Sequence, residues 1–328
     1  MTMAQALAEP AATSSARASL APGRRPRLTK RRKQEAWLFY LFISPWIIGF
    51  LVFLLGPMVA SIYLSLTDWD SFTTPVFVGL DNYVTLLTDD PIFWKVLGNT
   101  LYYAAISVPL SLGIGLWLAN LLNKRVRFRK IFRTVIYLPT LVPIVATALI
   151  FKMVLAPTTG PLNQFLALFG ITGPAWLLDP NAVKPALILL SAWGAGGATV
   201  LLLAAMKGIP IEFYEAAEID GAGPIRQFWS ITFPQVTPII FFNLIMGLIA
   251  SFQVFAQVYV LTIFKGVGGP NNASQMMVTM LFQQAFSFYH MGYASAISWL
   301  LFVVILGFTL IAFKTARKWV FYENEVNN

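Results

Sequence analysis

Long apolar stretches alternate with short polar segments along this chain. A helix needs roughly 20 mostly apolar residues to cross the hydrocarbon core of a bilayer. The stretches that reach or approach that length are Trp37–Leu66, Val96–Leu122, Thr134–Phe151, Pro185–Met206, Val236–Phe264 and Met291–Phe313. Proline and glycine within them are compatible with membrane helices, because neighbouring helices and hydroxyl side chains satisfy the freed backbone groups. The pattern predicts an all-α membrane protein with about six transmembrane helices.

The basic residues fix the predicted orientation of these helices. Of the 23 Lys and Arg residues, 19 lie before the first span or after the second, fourth and sixth spans. Cytoplasmic loops of membrane proteins collect Lys and Arg, so both termini are predicted to be cytoplasmic. The predicted organisation is a disordered basic tail (1–36), a six-helix domain (37–313) and a C-terminal cytoplasmic tail (314–328).

Composition excludes several classes of protein. Hydrophobic residues make up 57% of the chain and charged residues 11%, against about 25% charged in an ordinary soluble domain. The chain has no Cys and one His, which leaves no Cys/His metal site. It also has no G-x-x-x-x-G-K-[ST] loop for nucleotide phosphates. We therefore predict no enzyme and no nucleic-acid partner, and we attribute the net charge of +9 to membrane topology.

The predicted spans contain no Asp, Glu, Lys, Arg or His. Proton- or sodium-coupled transporters and pumps place ionisable groups inside the membrane to bind or move charge. If this chain moves a solute uphill, the energy must come from another polypeptide.

The loop between the fourth and fifth spans, residues 207–235, is acidic although it is predicted to be cytoplasmic. The pattern predicts a short helix over residues 211–219, which Gly221 ends, and a second short helix that begins at Pro224. Helices that lie on a membrane surface favour basic residues, so the acidic face favours a protein partner.

This loop resembles the EAA loop of the permease subunits of binding-protein-dependent ABC importers. The matching residues include Glu215-Ala216-Ala217, Asp220-Gly221-Ala222, Phe228, Ile231 and Pro234. The resemblance implies the type I importer permease fold and a loop that docks on a separate ATPase subunit as a coupling helix. The ATPase-coupling residues that it implies are Glu215, Ala216, Ala217, Asp220, Gly221, Ala222 and Pro234.

Further segments resemble sugar permeases of the maltose and glycerol-3-phosphate type, in particular the first permease subunit of such systems. These segments are residues 268–273, 284–286 and 291–296. The resemblance implies a multi-pass protein of the bacterial inner membrane that carries a carbohydrate into the cytoplasm by alternating access. It implies a second homologous permease, two ATPase subunits and an extracytoplasmic solute-binding protein as partners, besides membrane lipid. This chain would hold no cofactor, because ATP and Mg²⁺ are used by the ATPase subunits.

A sugar site requires polar uncharged groups and an aromatic face. The candidates on the fourth and fifth spans are Trp193, Ser251, Gln253, Gln257 and Tyr259. Gln253 and Gln257 are four residues apart, which predicts that they share one face of a continuous helix. The two amides fit either substrate contact or hydrogen bonding between helices. No metal ligands are predicted, and the sequence leaves monosaccharides, disaccharides, oligosaccharides and glycerol phosphate open.

Two other functions compete with the permease subunit. A stand-alone channel or facilitator for a neutral solute is compatible with spans that lack charge, but it leaves the acidic loop unexplained. A membrane-embedded enzyme would need a nucleophile, a metal site or acid–base groups within the spans, and the sequence offers none there.

Overall fold

A computed structural model describes residues 30–124, 127–262 and 268–321. Residues 1–29 of the predicted N-terminal tail and residues 322–328 of the C-terminal tail lie outside this range, as does the predicted end of the fifth span at Phe264. The chain divides into two compact units, Met1–Pro57 and Met58–Asn328.

Helices dominate the described residues. The α-helices are α1 (Lys30–Phe50), α2 (Gly56–Ser65), α3 (Asp81–Val84), α4 (Phe93–Asn123), α5 (Arg129–Leu141), α6 (Ile144–Val154), α7 (Pro161–Ala167), α8 (Val183–Trp193), α9 (Gly196–Gly208), α10 (Ile211–Ile219), α11 (Pro224–Gln227), α12 (Phe233–Phe252), α13 (Ala256–Thr262), α14 (Met277–Phe282) and α15 (Met291–Ala316). The π-helical turns are Leu51–Leu55, Thr85–Asp89, Phe228–Thr232 and Gln283–Ser287, and a 3₁₀ turn covers Pro270–Asn272. Strands β1 (Thr67–Asp68) and β2 (Val76–Phe77) form a small antiparallel pair.

Four helical stretches are long and apolar enough to cross a membrane: Trp37–Ser65, Phe93–Asn123, Pro224–Phe252 and Met291–Ala316. The predicted first, second and sixth spans correspond to three of these stretches. Helix α1 begins at Lys30, ahead of the apolar run that starts at Trp37. Its first turns therefore lie within the segment that was predicted to be a disordered tail.

The third predicted span, Thr134–Phe151, is not one continuous helix. It falls on α5 and α6, whose axes bend by 100° at the residues between them. Pro143 causes the break, because a proline excludes the residue before it from the helical region. Val142 accordingly has an extended backbone, with φ −77° and ψ 129°. Proline was expected to be compatible with a continuous membrane helix, but the helix is broken at Pro143.

The fourth predicted span, Pro185–Met206, is also interrupted. Helices α8 and α9 bend by 42° at Gly194 and Ala195. The first residue of α9, Gly196, lies so close to the carbonyl oxygen of Ile136 in α5 that a Cβ atom there would collide with it. The small residues in this region therefore allow helix packing, as they commonly do in membranes.

The fifth predicted span begins earlier and ends sooner than the sequence indicated. The predicted second short helix of the acidic loop is the beginning of a 29-residue helical stretch, Pro224–Phe252. Pro234 and Pro238 lie within this stretch and do not end the helix. Residues 253–255 then interrupt the helix before α13.

Helix α4 lies at the centre of the second unit, where it packs against α8, α9 and α12. Small residues bring these helices together: a Cβ atom at Gly115 would lie 3.1 Å from the Ala198 Cβ of α9. A Cβ atom at Gly247 of α12 would lie 3.2 Å from Val108 of α4. The cavity described below lies between these helices.

Candidate functional site

The acidic loop folds into an elbow, which we define as residues 211–227. Helix α10 ends in a Schellman motif: Ala222 N–H donates to Ala217 O at 2.8 Å and Gly221 N–H donates to Glu218 O at 3.0 Å. Gly221 has φ +77°, a left-handed conformation that glycine adopts without strain. The chain then turns into α11, where the Gln227 side chain donates to Ala222 O at 3.0 Å.

The elbow is joined to the helix that follows it. Helix α11 continues through a π-helical turn into α12. The hydroxyls of Tyr214 in α10 and Thr232 in that turn form a hydrogen bond of 2.9 Å, which ties the two arms together. Pro234 lies ten residues beyond Pro224 in the same stretch, about 15 Å along the axis. It is therefore separated from the other six predicted coupling residues, which all lie at or before the glycine turn.

The elbow exposes apolar side chains as well as carboxylates. Ile219 is 88% exposed and Ile225 is 79% exposed, one on each side of the glycine turn. Glu215 and Asp220 are exposed beside them. Exposed apolar residues rimmed by charge are typical of a protein interaction site. The sequence analysis did not single out these isoleucines; their position close to the predicted turn at Gly221 was the signal that could have identified them.

A cavity of about 430 Å³ with both polar and apolar lining lies between α4, α8, α9, α12 and α13. Its polar lining is Tyr103, Ser107, Ser111, Ser191, Asn243, Ser251 and Gln257. No Asp, Glu, Lys, Arg or His belongs to the described lining. Hydroxyl and amide groups can both donate and accept hydrogen bonds, so the cavity suits the hydroxyl groups of a polar ligand.

Tyr103 is buried, and its side chain lines the cavity together with Ser107, Ser191 and Gln257, so that three helices contribute these polar groups. Ser251 donates to Leu248 O of its own helix at 2.8 Å, which leaves its oxygen lone pairs for a ligand donor.

Only part of the predicted sugar site is assembled here. Ser251 and Gln257 line the cavity, whereas Trp193, Gln253 and Tyr259 do not belong to its lining. Trp193 packs edge-on against Phe151, and Tyr259 stacks on Phe255. These two aromatic side chains therefore pack against other aromatic residues, and neither lines the cavity.

Gln253 and Gln257 do not share one face of a continuous helix, contrary to expectation. The backbone leaves the helical conformation after Phe252 and resumes it at Ala256, so the four-residue spacing crosses a break. The cavity also includes polar residues of α4, whereas the predicted sugar site lay on the fourth and fifth spans. Tyr103, Ser107 and Ser111 recur every four residues on that helix, and this regular polar spacing within an apolar span was the available signal.

A larger cavity, of about 730 Å³, lies at the end of the second unit that is predicted to face outward. Its lining includes Asp68, Asp81, Asp89 and Asp90. The smaller cavity, in contrast, includes hydroxyl and amide groups from the predicted spans in its lining. Within the part of the chain that the structure describes, no three His, Asp or Glu side chains are grouped to hold a metal ion.

Together, the broken membrane helices, the uncharged internal cavity and the exposed elbow define the membrane component of a transport system. The family model of the binding-protein-dependent transport system inner membrane component matches residues 111–318. The chain belongs to this family, and it is a permease of the sugar-transporting ABC importer type rather than an enzyme.

Individual relatives agree with this assignment. The chain is 42% identical over 288 residues to the probable ABC transporter permease protein YesP of Bacillus subtilis (strain 168), which covers 87% of the chain and 92% of YesP. It is 34% identical over 294 residues to the trehalose/maltose transport system permease protein MalF of Thermococcus litoralis, covering 88% and 97% of the two chains.

A solved structure shares the fold. A chain of a bacterial ABC transporter involved in the import of the acidic polysaccharide alginate superposes with a TM-score of 0.76 at 28% identity. The match covers 88% of this chain and 98% of that one. The predicted type I importer permease fold is thereby confirmed.

Proposed function

We propose that this chain translocates a carbohydrate into the cytoplasm through the cavity beside Tyr103, driven by ATPase subunits that dock on the elbow. One observation carries the proposal: the elbow and part of the cavity wall belong to one helical stretch. Pro224–Phe252 has 29 residues and is therefore about 43 Å long. It begins within the elbow and carries Asn243 and Ser251 to the cavity.

This connection supplies a mechanism for alternating access. When two ATPase subunits close on ATP and Mg²⁺, they displace the elbow. The Tyr214–Thr232 hydrogen bond and the Schellman turn keep α10 fixed to the long helix. The displacement therefore moves the cavity wall, and the cavity opens to one side of the membrane and then to the other.

The ligand class follows from the lining and from the relatives. Hydroxyl and amide groups match the hydroxyls of a sugar. The relatives are named as permeases for trehalose and maltose, arabinooligosaccharides and lactose. A second permease would complete the route, and an extracytoplasmic solute-binding protein would deliver the sugar. The alginate transporter has been crystallised in complex with a periplasmic protein that holds an alginate pentasaccharide.

The test is carried out on the native complex. A photo-crosslinker placed at Ile219 should capture an ATP-hydrolysing subunit, whereas one placed at Phe169, exposed on the predicted outer side, should not. The purified complex in proteoliposomes should take up sugar only with ATP and the binding protein. Capture of no ATPase in an intact complex would refute the coupling role of the elbow. Sugar flux through the chain alone, without nucleotide, would establish a facilitator instead.

A further inference from the structure

Lys184 is held in an unusual position for a lysine near a helix end. Such side chains ordinarily extend to water at the membrane surface. The Lys184 ammonium instead donates to Asn99 Oδ1 at 3.3 Å, and Asn99 is only 4% exposed. The ammonium also lies 5.0 Å from the centre of the Tyr102 ring. Both contacts draw the charge toward α4.

The partners of Lys184 are all uncharged. The Asn99 amide nitrogen donates to the backbone oxygens of Asn272 and Gln275, at 3.0 and 3.1 Å, so Asn99 itself is also held by uncharged groups. Among the described residues no carboxylate forms an ion pair with Lys184, whose recorded contacts are Asn99 and Tyr102. A half-buried cation with neutral partners keeps its attraction for an anion, because low local polarity screens it less than bulk water does.

Helix register places this cation beside the cavity. Asn99 precedes Tyr103 by four residues on α4, which is about one turn or 6 Å along the axis. Lys184 and the cavity residue Ser191 are seven residues apart on α8, about two turns, so they share a face. Lys184 therefore lies toward the predicted outer side relative to the cavity residue Ser191, about 10 Å from it along the axis of α8.

We propose that Lys184 is a specificity-determining residue of this route and that the chain carries carbohydrates bearing a carboxylate, that is, uronate oligosaccharides. The inference rests on the proposed function. The carboxylate exchanges places with Asn99 at the Lys184 ammonium, and the sugar hydroxyls then meet the uncharged groups of the cavity. The aspartate-lined outer cavity repels the same solute, so that cavity is not on the route.

The experiment compares paired substrates in the reconstituted native complex with its binding protein. The substrates are uronate trisaccharides, trimannuronate of alginate among them, and their carboxyl-reduced neutral counterparts. The Lys184→Gln variant keeps a donor for Asn99 but removes the charge. Loss of a charge-assisted hydrogen bond should lower the uptake efficiency of uronates roughly tenfold to a hundredfold. The uptake of the neutral sugars should change little. Lys184→Arg should retain uronate uptake, and Lys95→Gln, at an exposed lysine of α4, should have no effect.

The outcomes separate the two proposals. Equal loss of both substrate classes in Lys184→Gln would show a structural role for the lysine and overturn the inference. Unchanged uptake of both classes would overturn it as well. ATP-driven uptake of neutral sugars alone by the unaltered complex would overturn the inference while leaving the proposed function intact. Absence of ATP-driven uptake of any sugar would overturn both.

Discussion

The glycine turn of the elbow offers a sharp test of force transmission. In Gly221→Ala, a Cβ atom would meet no other atom within 4 Å, so the effect is confined to backbone strain at φ +77°. An L-residue in the left-handed region costs about 1–2 kcal/mol. A change of that size shifts the balance between the formed and the unravelled turn roughly 5- to 30-fold toward the unravelled turn.

Gly221→Pro is the stronger form of the same perturbation. Proline fixes φ near −65° and removes the N–H group that donates to Glu218 O at 3.0 Å. The turn then cannot form as observed. We expect ATP-driven uptake to fall to background in this variant and to fall several-fold in Gly221→Ala. Binding of the ATPase subunits should be weakened less than uptake, because the rest of α10 remains.

The chain contains a matched control for this substitution. Gly170 follows α7 in the same motif, with Ile171 N–H donating to Leu166 O at 3.1 Å and Gly170 N–H donating to Ala167 O at 3.0 Å. Its φ is +73° and a Cβ atom there would also meet nothing within 4 Å. Gly170→Ala therefore imposes the same strain on the predicted outer side.

Both alanine variants are compared by sugar uptake and ATP hydrolysis in proteoliposomes, with complex assembly measured by size-exclusion chromatography. We expect Gly170→Ala to leave the ratio of sugar transported to ATP hydrolysed unchanged and Gly221→Ala to lower it. Equal transport ratios in the two variants, with assembly intact, would refute the argument that the elbow transmits force.

Three further substitutions test the cavity, the helix packing and the electrostatics. Tyr103→Phe removes a hydroxyl whose hydrogen bond to a sugar would contribute about 1 kcal/mol of binding free energy, so the KM of sugar uptake should rise roughly fivefold. An unchanged KM would exclude this residue from the site. Gly196→Ala collides with a backbone carbonyl and should lower the melting temperature of the complex, whereas Gly197→Ala meets only a contact of 3.8 Å and should not. Repulsion from Arg129, followed by burial, lowers the pKa of Lys207, so the folded state gains stability as pH rises through that lowered value. Arg129→Gln should raise the pKa of Lys207, as NMR of ¹³C-methylated lysines would measure; an unchanged pKa would contradict this cause.

The sequence predicted the helical fold and the place of the elbow because both depend on local signals. Apolar run length identified α4 and α15, and a glycine with the correct neighbours identified the turn at Gly221. The break at Pro143 was not predicted, because hydropathy measures whether a segment is apolar and not whether its helix is continuous. The grouping of Tyr103 with Ser191 and Gln257 at one cavity was also beyond prediction, since these residues belong to three helices that are distant in sequence.

The missed breaks and the missed cavity have a common physical origin. Non-helical backbone at membrane depth is stable only where protein or a polar cavity satisfies its groups. Two of the three interrupted spans break beside the cavity: Gly194 and Ala195 between α8 and α9 line it directly, and the break after Phe252 is flanked by the cavity residues Ser251 and Gln257. A helix break within an apolar stretch, where polar side chains lie next to it, is therefore itself an indicator of a solute site. That criterion favours Gln257 over Tyr259, because Gln257 lies next to the interruption at residues 253–255 and lines the cavity, whereas Tyr259 stacks on Phe255.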